Sequence, residues 1–260
     1  MSSSSPPPEE APTTTTSHEP INAAEEDPSP PTESAPLLGR PGDATQKPTS
    51  PLSRNLLLGT AWLAQLGALL LLTTLLYAIV THPTLPLVTP HPLLQISGII
   101  ALLQAILILQ PTFTPETKAA GQRVHAALQG LTMLLLAGGV AVIETNKKIN
   151  KMPHFHSAHA YLGAVTLGLL VVQWVFGVTI WAVPGVWGGL ERAKGLWKYH
   201  RWVGYAVLIS LLATVTAAAE TDYIKKVLEV KLWPVLLAEV LIVAGVFPRI
   251  HPRKLGIQRS

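Results

Sequence analysis

Nine histidines stand in a chain of 260 residues that has no cysteine, so any metal must be held by imidazole or oxygen. Thiolate metal sites, iron–sulfur clusters, disulfides and c-type haem attachment are excluded. Four of the histidines, His91, His125, His159 and His200, each stand at the mouth of an uncharged apolar run. Three cluster in one stretch, His154-Phe-His156-Ser-Ala-His159, which reads as a metal cluster, a proton relay or a polar collar at a membrane surface. Choosing among these requires the elements that carry them.

Those elements belong to a membrane. The chain is 48% apolar and 13% charged, and its mean hydropathy is +0.37. Residues 56–80 carry no charge, enough to cross a hydrocarbon core of about 30 Å at about 1.5 Å per residue. Further uncharged runs at 92–109, 124–143, 160–183 and 202–219 give five spans. A sixth, 232–247, is shorter and contains Glu239, but Trp233 and Arg249 flank it as interface anchors. Residues 1–54, rich in Ser, Thr, Pro and Glu, read as a disordered tail without the features of a secretory signal. Residues 55–250 form the membrane domain, and 251–260 a short C-terminal tail.

An even number of spans puts both ends on one side. Thirteen of the nineteen Lys and Arg lie in the tail, the C-terminus and the connections at 110–123 and 184–201, so the positive-inside rule assigns that side to the cytosol. Trp181, Trp187, Trp197 and Trp202 gather at one of these connections as an aromatic belt would. The net charge of +4 is therefore a topology signal rather than a nucleic-acid footprint.

Alternating helix direction sorts the four histidines into two pairs, His91 with His159 on the outer side and His125 with His200 on the cytosolic side. Unpaired imidazoles are costly in lipid, and a flat iron porphyrin between two of them satisfies both. Filled axial positions favour electron transfer over oxygen binding. The expected fold class is an all-α membrane protein with six transmembrane helices, helices 2–5 forming a four-helix bundle around two b-type haems. Gly163 and Gly204, each four residues after a histidine, leave room for the macrocycle. The alternative is a haem-free multi-pass transporter or channel in which His and Glu relay protons.

The sequence resembles the cytochrome b561 family. The matching residues are His91-Pro-Leu-Leu94 with Gly98 and Gln104-Ala-Ile-Leu107, Arg123-Val-His125, His156-Ser-Ala-His159-Ala-Tyr-Leu-Gly163 with Gln173 and Gly177, and His200-Arg-Trp-Val-Gly204, within residues 56–250. The resemblance implies a single b561 domain of fungal type and the same histidine pairs. It further implies two haem b, a cytosolic ascorbate-like donor, and monodehydroascorbate or a ferric chelate as acceptor on the other side. A basic patch beside His125 binds the reductant in such proteins. Here Gln122 stands where a lysine is common, leaving Lys118 and Arg123 as the reductant-binding candidates.

The remaining signals are secondary. His82 and His156 share the outer side and form a candidate substrate or metal site; a solvated collar is the plainer account. His154 reads as solvated at the interface, and His18 and His251 as interfacial residues rather than ligands. Glu239 is expected to be neutral or hydrogen-bonded to Ser or Thr of another helix, and Gln173 to hydrogen-bond near the cytosolic haem or to glue helices. Glu33-Ser-Ala-Pro-Leu-Leu38 matches an acidic dileucine sorting signal, which favours a vacuolar or endomembrane location over the plasma membrane. The absence of a strand–glycine loop–helix pattern leaves the flavin and nicotinamide out, so electrons must come from a small donor or a partner protein. Expected partners are the bilayer, donor and acceptor, with a homodimer as one candidate assembly and no nucleic acid.

Overall fold

The computed structural model describes residues 44–256 apart from Pro48 and Thr84, so the sorting motif and most of the expected tail lie outside the described residues. Six helices carry the fold: α1 (Ala61–Thr81), α2 (Pro90–Leu109), α3 (Pro115–Ile149), α4 (Ala158–Ala182), α5 (Leu190–Ala219) and α6 (Leu232–Val246). A short 3-10 turn continues α6 through Arg249, which makes the sixth span long enough to cross. Among the described residues there is no strand.

Two helices overrun their apolar runs. α3 has 35 residues, about 50 Å at the α-helical rise, and so exceeds a bilayer core of about 30 Å. It starts where local chemistry dictates, with Thr114 capping the Thr117 N–H, Pro115 at the first position and Glu116 in the first turn. α5 likewise begins at Leu190, after Gly188 and Gly189 turn the chain with φ of 80° and 106°. His91 and His159 do stand at helix starts, but His125 and His200 sit about three turns inside α3 and α5. Charged residues end an apolar run without ending a helix.

α2 is the most enclosed span, buried from Ile96 to Ile108 along most of its surface. It lies along α3, while α4 lies along α5 and α1 along α6. The α1–α6 contact is close because Gly245 has no side chain; a Cβ there would sit 2.3 Å from the Ala64 nitrogen. Buried polar groups pair across helices. Gln65 and Gln104 exchange amide bonds of 2.7 and 3.0 Å between α1 and α2. Thr216 donates to Glu239 at 2.6 Å between α5 and α6, the hydroxyl partner expected for that carboxyl.

The terminal segments belong to this packing. α2 ends with carbonyls that no helical N–H can reach. The Asn55 amide donates to the Ile108 carbonyl at 2.8 Å, Arg249 to the Leu107 carbonyl at 3.1 Å, and Lys254 to the Gln110 and Thr112 carbonyls at 2.8 Å each. Gln46, inside the stretch read as tail, is buried and accepts from Asn55 at 2.9 Å. Both terminal segments thus meet at one end of the bundle, where Arg249 also donates to the Asn55 carbonyl at 2.8 Å.

Candidate functional site

The four histidines come together as two facing pairs. The rings of His91 (α2) and His159 (α4) have centroids 6.0 Å apart at an interplanar angle of 75°, and those of His125 (α3) and His200 (α5) lie 6.4 Å apart at 82°. One metal accepting a nitrogen from each ring, with two metal–nitrogen bonds of about 2 Å and two half-rings, requires a centroid separation of about 6 Å. Both pairs meet that requirement, although no cysteine or carboxylate joins them. Among the described residues no cluster of three or more His, Cys, Asp or Glu is arranged to hold a metal ion, and the donors that face one another at each pair are the two imidazoles.

Three of the rings are oriented by a backbone carbonyl. The Nδ1–H of His91 donates to Gly139 at 2.9 Å, that of His125 to Ala105 at 2.8 Å, and that of His159 to Thr214 at 3.0 Å. Such a bond fixes the tautomer and leaves Nε2 as the free lone pair for a metal. His200 is held by packing instead: its ring meets Trp197 edge-on at 5.7 Å and Phe176 at 6.1 Å.

An open apolar groove runs along α3, and none of the four paired histidines lines it. α3 and α4 touch sparingly, and between them lies an apolar cleft of about 670 Å³ lined by Gly130, Met133, Leu134, Ala137, Gly138, Ala141 and Trp174. A Cβ on Gly130 would meet nothing within 4 Å. The donor set and the ring spacing fit b-type haem.

The glycines near the two pairs differ in their surroundings. The space beside Gly204 belongs to Gln173, whose amide nitrogen would be 3.1 Å from a Cβ there, and beside Gly163 only Thr214 stands at ordinary contact, 3.6 Å. Clearance for a histidine comes from Gly177, where a Cβ would sit 2.6 Å from His200 Cε1. Gln173 itself donates to the His200 carbonyl at 2.6 Å, the helix-to-helix bond anticipated near that pair.

The outer candidates remain apart. His82 closes α1, its Nδ1 2.9 Å from the Ala78 carbonyl, and the exposed His156 bonds to Pro153 at 3.1 Å; no hydrogen bond or ring contact joins the two. His154 pairs with Glu144 at 2.8 Å rather than standing free in solvent. Ser157 caps α4 by accepting from the Ala160 N–H at 3.2 Å and so fixes where His159 enters.

At the end where the described terminal segments pack against α2, Lys118 and Arg123 are exposed, Lys118 lying 5.8 Å from the Phe113 ring centre. Sequence reasoning missed two further cations there. Arg201 donates to the Lys254 carbonyl at 2.6 Å, and the Lys254 amine is pushed down to about 8 by burial first, then by the charges of Arg201 and Lys118. Nothing in the sequence ties Lys254 to this cluster, because the contact depends on how the C-terminal turn folds back.

Comparison with known proteins agrees with this geometry. Residues 90–225, just over half the chain and containing all four paired histidines, match the family described as eukaryotic cytochrome b561. The lysosomal membrane ascorbate-dependent ferrireductase CYB561A3 of Bos taurus is 26% identical over 129 residues, covering 49% of this chain and 48% of the bovine protein. The ascorbate-specific transmembrane electron transporter 2 of Zea mays is 28% identical over 139 residues, 52% of this chain and 55% of the maize protein. Transmembrane ascorbate ferrireductase 1 of Arabidopsis thaliana is 26% identical over 119 residues, 46% of this chain and 48% of the plant protein. The chain spans about half the length of the curated relatives it matches. The matched segment holds the whole α2–α5 bundle and both histidine pairs, and this chain belongs to the cytochrome b561 family, whose members are b-type haem proteins.

Proposed function

We propose that this protein carries electrons across a membrane through two bis-histidine haem b sites, His91 with His159 and His125 with His200. The observation that carries the proposal is the facing of two imidazole pairs at metal-sandwich spacing on opposite halves of one bundle. Haem b, when bound, supplies a one-electron Fe(III)/Fe(II) couple. The chain supplies the rest. His91, His125 and His159 keep a proton on Nδ1 by donating it to carbonyls, which presents Nε2 inward.

The donor is a small anionic reductant of the ascorbate kind, drawn to the cytosolic end by Lys118 and Arg123, with Arg201 and Lys254 adding to the field. The acceptor on the opposite side is monodehydroascorbate or a ferric chelate, approached past His82 and His156. Support for donor and acceptor classes comes from the relatives named for ascorbate dependence and ferric reduction. The excess of positive charge at the end that carries both termini supports a cytosolic placement for that end. The bovine relative's name refers to the lysosomal membrane, in keeping with an endomembrane location here.

The test is a reduced-minus-oxidised absorption spectrum of the purified full-length protein, with ascorbate as reductant and a ferric chelate as oxidant. Low-spin b-type bands that ascorbate raises and the chelate bleaches are the expected result. A protein without such bands would refute the proposal.

A further inference from the structure

The four paired imidazoles are not equivalent. His91, His125 and His159 each donate Nδ1–H to a backbone carbonyl, at 2.9, 2.8 and 3.0 Å. The Nδ1 of His200 is buried and has no hydrogen-bond partner. Its surroundings explain why. The ring is walled by Trp197, edge-on to it, by the tilted ring of Phe176, and by the bare backbone of α4 at Gly177. The α4 carbonyls there are already engaged in helical bonds, and the Gln173 side chain gives its N–H to the His200 carbonyl while its buried Oε1 meets no donor, the ring included.

A carbonyl that accepts from Nδ1–H draws the proton away and leaves the imidazole richer in electrons, which makes Nε2 a stronger donor and favours the higher oxidation state of a bound iron. Local charge acts in the same sense. Beside His200, Arg201 donates to a carbonyl and forms no salt bridge among the described residues, whereas Lys147, near the other pair, is ion-paired with Glu144 at 2.9 Å, which reduces its field there.

We infer that His200 is the electron-poor member of the four ligands, so that the iron held by His125 and His200 accepts an electron more readily than the iron held by His91 and His159. This rests on the proposed two-haem reading and assigns an order to its sites. A single electron entering at the end that carries both termini then rests there, and its passage to the other end is drawn by the acceptor's removal of it. His200 is the residue that sets this order, through the nitrogen that does not touch the metal.

The experiment is spectroscopic potentiometry of the full-length protein, combined with pulsed EPR of the remote imidazole nitrogens, whose quadrupole coupling reports hydrogen bonding at Nδ1. In the intact protein, at a potential where one site is reduced, the site still ferric should show two strongly hydrogen-bonded remote nitrogens. The weakly bonded nitrogen should appear only on full oxidation. The His91→Ala variant, retaining His125 and His200, should have the higher midpoint potential, and His125→Ala the lower. Equal or reversed midpoints, or equally strong hydrogen bonding at all four nitrogens, would overturn the inference while leaving two-haem electron transfer intact. A protein without haem would overturn both. The intact-protein arm decides the matter even where the variants fail to fold.

Discussion

Three of the four paired imidazoles satisfy the outer nitrogen on a backbone carbonyl, and that bond decides how the inner nitrogen is used. Gly177 shows how narrow the tolerance is. Gly177→Ala places a methyl group 2.6 Å from His200 Cε1, too close for the ring to keep its place. The variant should lose about half of the bound haem, measured as haem per protein, while the site at His91 and His159 keeps its spectrum. Lys254 offers a second test through pH. Its folded pKa, lowered from 10.5 to about 8, lies below its unfolded value, so burial of the charged amine works against stability below pH 8. That penalty is relieved as pH rises from about 8 towards 10.5. Wild type should therefore gain thermal stability in detergent relative to Lys254→Gln across that window, with the difference flat below pH 7; a difference that falls with rising pH would contradict the assignment.

At the level of elements, the end of α2 depends on the two terminal segments. Arg249 is almost wholly buried and serves the Leu107 and Asn55 carbonyls together. Arg249→Ala strips both acceptors and opens a cavity, and is expected to cost about 2–4 kcal/mol in unfolding experiments. The effect should extend to His125, because its orienting carbonyl at Ala105 lies one turn before the capped end. Membrane helices were the most legible feature of the sequence, since an uncharged run of this length has few other uses. Their ends were not legible. α3 and α5 begin about three turns before their apolar runs, because capping at Thr114 and the glycine turn at 188–189, rather than hydropathy, decide where each helix starts. The same reason hid the role of residues 44–54: a polar composition reads as tail, but Gln46 and Asn55 find partners only after α2 ends beside them.

For the whole molecule, pairing followed from counting spans, since alternating direction alone brings His91 towards His159 and His125 towards His200. The carbonyl acceptors of three rings, and the lack of one at His200, could not be read ahead, because they depend on the rotation of each helix about its axis. Electron flow should be vectorial. In vesicles loaded with ascorbate, an impermeant ferric chelate outside should be reduced only when the protein is present, and His200→Ala should abolish that reduction without making the vesicles leak. The most direct measurement is haem content and difference spectrum in the wild type and the four single His→Ala variants at 91, 125, 159 and 200. The account predicts close to two haems in the wild type and close to one in each variant, with His91→Ala and His159→Ala leaving one spectrum and His125→Ala and His200→Ala leaving the other. Loss of different haems within either pair would contradict it.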